Sequence, residues 1–151
     1  MRTGHLDFTG LQFILAWFSL GKTVGRHQMS KKLKMKWADQ PEKTDYLSAL
    51  SYLSLLYDEP AARAHVKKLK RAAMTGFQAK DIFRASGLSL LGISNARVKK
   101  DQKKIKSGGR LAPLLLVRHP ASGKVIIADG YHRLCAVYSY DEDADIPCKI
   151  V

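Results

Sequence analysis

At 151 residues, 46% of them hydrophobic, the chain has the size and apolar content of one soluble folded domain with an appendage, and it shows no internal repeat or low-complexity segment. Lys and Arg number 26 against 13 Asp and Glu, a formal net charge of +13 that favours polyanionic partners such as nucleotides, nucleic acid or acidic membranes. Two cysteines, Cys135 and Cys148, are too few for a disulfide scaffold and lack the Cys-x-x-Cys spacing of a metal site, so a cytoplasmic protein with two buried thiols is expected.

Residues 1–28 differ in character from the rest of the chain. The apolar run from Leu11 to Leu20 is about half the length that spans a bilayer, so no membrane span is expected. Asp7 sits where a secretory leader would be basic, and no small-x-small cleavage site follows. "MSKKLKMKW" from Met29 reads as a natural start, which makes 1–28 a non-native or disordered leader. In "DYLSALSYLSLLY", Tyr46, Leu50, Leu53 and Tyr57 form one helical stripe, with Thr44 or Asp45 available as a cap. Asp58 then caps a second helix with Pro60 in its first turn. That helix turns Ala62, Val66, Leu69 and Ala73 inward and Lys67, Lys68, Lys70 and Arg71 outward. Residues 29–75 are therefore expected to be a basic helical hairpin standing before a compact domain at 76–151.

Periodicity is mixed in the second part. "FQAKDIF" reads as a short strand and "GLSLLGISN" as a loop whose Asn95 caps the next helix. That helix, "ARVKKDQKKIK", has only Val98 and Ile105 as apolar anchors among six cations, and Gly108 and Gly109 end it. "LAPLLLV" and "VIIA", joined by "HPASGK", are strands buried on both sides or a hairpin. "YHRLCAVYSY" is a helix and "IPCKIV" a closing strand, which makes the fold class α/β (α+β) with a small mixed sheet.

The chemistry concentrates in "DGYHR". A strand that ends at Asp129-Gly130 and passes straight into a helix exposes unpaired amides, and the helix dipole makes that end attractive to anions. Gly130 permits a tight turn and close approach to a ligand, Arg133 offers a planar fork of donors, and His132 a switchable donor or acid. Asp129 can orient either side chain, cap the helix or meet a metal ion carried by a nucleotide. His132 and Cys135 stand three apart without a second ligand pair, so no protein-held metal is expected.

Residues 96–151, "ARVKKDQKKIKSGGRLAPLLLVRHPASGKVIIADGYHRLCAVYSYDEDADIPCKIV", resemble the ParB/sulfiredoxin superfamily in the order and spacing of their elements. With "FQAKDIFRA" as its opening strand, the resemblance covers about half of the chain, from Phe77 to Val151. It implies that the turn binds the phosphates of ATP, ADP or CTP, with Mg2+ accompanying the nucleotide. In sulfiredoxin the turn is Gly-Cys-His-Arg, with His and Arg on ATP phosphates and Cys as nucleophile; here Gly130-Tyr131-His132-Arg133 keeps the phosphate pair and replaces the thiol. A phenol that holds its proton to about pH 10 does not substitute for a thiolate, so sulfiredoxin activity is not expected. The ParB branch uses a related turn for CTP and adds a helix-turn-helix; with the chain closing at Val151, autonomous centromere binding is not expected. The ParB-like free serine kinase carries an Asp-Gly-His-His-Arg-like turn closer to this one, and for its general base Asp81 and Asp101 are the candidates. The helix before the first strand contributes basic groups to the nucleotide in sulfiredoxin, which nominates Arg97, Lys100 and Lys104, one helical face, and more weakly Arg84.

These features point to three functions. One is nucleotide binding, with phosphotransfer or hydrolysis at Asp129 and His132, in which Arg133→Ala abolishes binding and leaves the fold intact. Another is a nucleic-acid accessory role through the basic helices at 60–73 and 96–106. The third is a catalytically inactive domain that recognises a protein partner.

Overall fold

A computed structural model describes residues 34–92 and 94–151; the expected leader at 1–28 and the start at Met29 lie outside the described residues. In chain order the elements are β1 (Lys36–Trp37), α1 (Lys43–Leu53), α2 (Glu59–Arg71), β2 (Thr75–Gln78), α3 (Ala79–Ser86), α4 (Ala96–Lys106), β3 (Arg110–Leu111), β4 (Leu114–His119), β5 (Lys124–Asp129), α5 (Tyr131–Tyr138) and β6 (Asp145–Ile150). A single 3-10 turn, Pro120–Ser122, joins β4 to β5. The mixed α/β class is the one expected.

The "LLLV" run of β4 explains the layering. Consecutive strand residues point to opposite faces, so a strand whose four apolar side chains are all buried must be covered on both. Leu114 and Leu116 join Ile127, Ile146 and Cys148 in a core shared with α3, α4 and α5. Leu115 and Val117 join Ala128 in a second core against α1 and α2. Between them lies a four-stranded sheet of order β2-β6-β4-β5. β4 pairs antiparallel with β5 and parallel with β6, and β2 closes the other edge antiparallel to β6. A separate parallel pair, β1 with β3, stands outside this sheet. β4 and β5 are thus both a hairpin and a pair buried on two faces.

The helical pair is therefore no appendage: α1 and α2 pack on the sheet within the same compact unit and form its third layer. Its expected stripe is realised by Leu53 and Ala49, which are buried, with Tyr46, Leu50 and Tyr57 packed at the edge of the core. α1 opens two or three residues earlier than expected, on a capping box in which Glu42 is the N-cap and the Asp45 carboxylate accepts from the Glu42 N–H at 2.7 Å. Asp58 caps α2 as expected, accepting from the Ala61 N–H at 2.8 Å, but the helix ends at Arg71 and Ala73 lies beyond it.

"FQAKDIF" departs most from expectation. Only Phe77 and Gln78 belong to a strand; Ala79 to Ser86 coil, because Ala79, Ile82, Phe83 and Ser86 bury one face at helical spacing. Asn95 caps α4 by accepting from the Arg97 and Val98 N–H groups, and Val98 and Ile105 anchor that helix as expected. Both cysteines are free and buried, and burial pushes the Cys148 thiol up to about 11, which keeps it protonated at neutral pH. Among the described residues no helix is long and apolar enough to cross a membrane.

Candidate functional site

The site grows from the way β5 hands over to α5. At the end of β5 the pairing with β4 slips, Leu116 facing Ile127 and Leu115 facing Asp129, so Ala128 is an extra residue. Such a bulge bends the strand and re-aims the residues after it. Gly130 then takes φ +101°, in the left-handed region, and α5 begins immediately. α1, α2 and α4 each begin on a side-chain cap. The first amides of α3 donate to the Ala144 and Glu142 carbonyls. α5 has no side-chain cap, which leaves its opening amides free to receive an anion.

Across from those amides stands α4. Arg97, Lys100 and Lys104 line one wall of a cleft of about 460 Å³, with Gly130, His132, Arg133, Asp45, Asp101 and Asp129 completing it. The α4 row has this geometry because Val98 and Ile105 pin the opposite side of the helix into the core. Eight residues nominated from the sequence, Arg97, Lys100, Asp101, Lys104, Asp129, Gly130, His132 and Arg133, come together here. The α4 cations have no carboxylate within salt-bridge distance among the described residues, so their charge is available to a ligand.

Arg133 is placed differently from a free phosphate clamp. Its Nη1 donates to Asp45 at 3.0 Å and its Nη2 to Asp129, and the three side chains are only 14%, 12% and 18% exposed. The fork therefore braces α1 against the turn, and Asp45 caps its own helix with one oxygen while holding Arg133 with the other. Asp45 is legible in the sequence only as a cap, since its partner lies 88 residues away.

One guanidinium shared by two carboxylates cannot fully compensate both. Burial pushes the Asp129 carboxyl up to about 6; Arg133 pulls the other way, and the neighbouring Asp45 adds to the rise. The contact with Arg133 alone argues for a lowered value, but burial and the second carboxylate outweigh it. The native state then holds a proton on Asp129 that the unfolded chain releases nearer 3.8. Stability from this group is fully present below 3.8 and is lost as pH rises to about 6. Asp129→Asn keeps the acceptor for Arg133 and abolishes the titration. Denaturant unfolding across that window is expected to show the wild type losing on the order of 2 kcal/mol relative to the variant, after discounting for solvent screening. Parallel curves sink the assignment.

Asp101 and His132 share the cleft. Burial raises the Asp101 carboxyl, with Arg133, Lys104, His132 and Lys100 opposing; burial lowers the His132 imidazole, with Arg97 adding and Asp101 opposing. Of the two carboxylates offered as bases, Asp101 faces the cleft, whereas Asp81 lies on α3 and accepts from Arg84 at 3.2 Å.

Besides Asp81, two nominated residues lie elsewhere. Arg84 is exposed on α3, paired with Asp81, because the segment expected as a strand is a helix pointing it to solvent. Tyr131 turns away from the cleft: its hydroxyl donates to the Ser89 carbonyl, and burial raises its pKa, with the neighbouring Cys135 adding. Among the described residues no group of three or more His, Cys, Asp or Glu side chains converges as a metal site. No family model, curated protein or solved structure matches the chain. The chemistry of the cleft is accordingly read from its own geometry.

Proposed function

We propose that the cleft binds the phosphates of a nucleotide such as ATP, ADP or CTP, as the resemblance to the ParB/sulfiredoxin superfamily implies. The observation that carries this reading is the uncapped start of α5 facing the unpaired row Arg97, Lys100 and Lys104. Amides and helix dipole on one wall and three cations on the other are complementary to a di- or triphosphate. His132, held low in pKa, is largely neutral at physiological pH and serves as a hydrogen-bond donor to a phosphate oxygen. Phosphoryl transfer asks mainly for positioning and charge stabilisation, which these groups supply. Asp101, with its basicity raised by burial, is the carboxylate placed to take a proton from an acceptor hydroxyl or water. Asp129 and Asp45 are occupied by Arg133, so Asp101 is also the carboxylate left to approach a nucleotide-borne Mg2+.

A panel of ATP, ADP and CTP with and without Mg2+, read by thermal shift, tests this. A true ligand at a hundredfold excess over its Kd is expected to raise Tm by about 5 °C or more. Lys100→Gln with Lys104→Gln is expected to remove the shift without lowering the Tm of the free protein. A blank panel overturns the reading and leaves the nucleic-acid and protein-partner roles.

A second reading, contact with nucleic acid, is favoured by one observation. Lys67, Lys68, Lys70 and Arg71 on α2 and Lys99, Lys103 and Lys106 on α4 are exposed, without carboxylate partners among the described residues. Binding of this kind falls steeply with salt, and each phosphate-contacting lysine removed lowers the salt slope by about one. A flat salt dependence excludes it.

A further inference from the structure

A charged side chain in the middle of a buried sheet is a stronger anomaly than any number of surface lysines. Lys149 sits on β6 opposite Leu115 of β4, on a strand flanked by two others, and is 5% exposed. Its ammonium carries three donors. One of them reaches the Lys70 carbonyl near the C-terminal end of α2, at 3.2 Å. That end of a helix is favourable for a cation, but one carbonyl neither neutralises the charge nor satisfies its donors. Lys149 also lines a groove of about 680 Å³ between α1 and α2. A second ammonium, that of Lys70, comes within 5.8 Å of the Tyr46 ring centre, and the Lys149 ammonium lies 6.0 Å from the same centre. Two like charges share one aromatic ring, and the ring faces are not enough to compensate both.

The groove has no acidic lining residue among those described. Lys43 and Arg63 add to its positive charge, and of these cations only Arg63 has a carboxylate partner, Glu59 at 2.6 Å along its own helix. Its floor is apolar, built from Tyr46, Leu50 and Val66. The contrast with the α4–α5 cleft is chemical: that cleft is lined by three carboxylates, whereas here cations gather beside hydrocarbon with no carboxylate in the lining. Low-dielectric walls with one sign of charge focus the field and raise the local concentration of an oppositely charged solute.

We propose that the α1–α2 groove binds a small amphipathic anion, with its carboxylate or phosphate head on Lys149 and Lys70 and its aromatic or short aliphatic body on Tyr46, Leu50 and Val66. The site is separate from the nucleotide cleft and does not depend on that reading. The head supplies acceptors for the buried ammonium, and the body removes apolar groove surface from water.

The test is a two-dimensional amide NMR titration of the full chain with phenyl phosphate, phenylacetate, inorganic phosphate and benzyl alcohol. Phenyl phosphate or phenylacetate is expected to shift the Tyr46, Leu50 and Val66 signals and to bind at least about tenfold more tightly than inorganic phosphate or benzyl alcohol. Whichever of the two aromatic anions binds identifies the head group, and comparable binding of both assigns the anionic charge as its determinant. Lys149→Met is expected to weaken binding about tenfold or more, and Lys70→Met, at an exposed position, about threefold. Should Lys149→Met fail to fold, Lys70→Met and Tyr46→Leu decide the matter. Lys104→Gln, in the other cleft, is expected to leave the groove signals unchanged. Inorganic phosphate binding as tightly as its phenyl ester, or titrations unmoved by Lys70→Met and Tyr46→Leu, overturns the proposal.

Discussion

Replacing Arg133 by methionine is expected to destabilise the fold by about 3 kcal/mol at mildly alkaline pH, the cost of leaving largely buried carboxylates without their cation. Asp45 on α1 and Asp129 at the end of β5 both accept from this guanidinium, and none of the three side chains is more than 18% exposed. Methionine fills the volume of the alkyl stem, so the loss is electrostatic rather than a cavity. Its pH dependence distinguishes it from ordinary damage. Without the guanidinium, which in the native protein pulls the Asp129 carboxyl down to about 6, that carboxyl takes up its proton at a higher pH, so the repulsion between the pair falls and the deficit shrinks as pH is lowered towards 6. Adding Asp129→Asn to Arg133→Met is expected to recover part of the stability, a coupling that a double-mutant cycle measures. A deficit that is constant from mildly alkaline to mildly acidic pH, with no rescue by Asp129→Asn in the double variant, contradicts the brace.

The brace also revises what the sequence suggests for Arg133. In "DGYHR" the arginine reads as a phosphate ligand whose loss spares the fold. Its carboxylate partners are four and 88 positions away, and only the nearer is visible as a local pattern. The structural role dominates because Asp45 reaches the turn through the docking of α1 on the sheet, which no local periodicity encodes. Lys149 is hidden for the same reason: "IPCKIV" reads as a closing strand, and its burial follows only from the neighbours on both sides.

The legible features had a local cause. Asp58 and Asn95 are caps three or four residues before the first buried apolar side chains of their helices, Ala62 and Val98, and both accept from the expected amides. Val98 and Ile105, one heptad apart, suffice to orient α4, and from that spacing the row 97, 100, 104 emerges without tertiary information. The four-residue apolar run of β4 announces two covered faces. "FQAKDIF" shows the limit of such reading: seven residues admit both a period of two and a period of 3.6. Ala79 and Ser86, fully or nearly buried, decide for the helix and carry Arg84 away from the cleft.

Gly130→Ala is expected to cost about 3 kcal/mol and to damage the cleft as a unit, for two reasons that add. The backbone at φ +101° lies where an L side chain is strained, a penalty of roughly 1–2 kcal/mol. A methyl group placed there meets Leu114 Cγ at 2.7 Å and Arg133 Nη2 at 3.1 Å. Leu114 is fully buried in the core it shares with Ile127 and Leu134 and cannot step aside without opening that core, so overpacking adds roughly another 1–3 kcal/mol. Relief by a shift of Arg133 instead strips Asp129 of its cation, which transfers the cost to the carboxylate pair. The absence of a side chain at this position therefore permits three things at once: the turn, the close approach of the Leu114 side chain, and the seat of the guanidinium. Leu114→Ala in the Gly130→Ala background separates them. Removing Leu114 is destabilising in the wild type, but in the double variant it clears the nearest clash, so the two costs are expected to be less than additive by about 1 kcal/mol or more. Strict additivity removes crowding against Leu114 as a cause and leaves the effect of Gly130→Ala to backbone strain and the Arg133 contact.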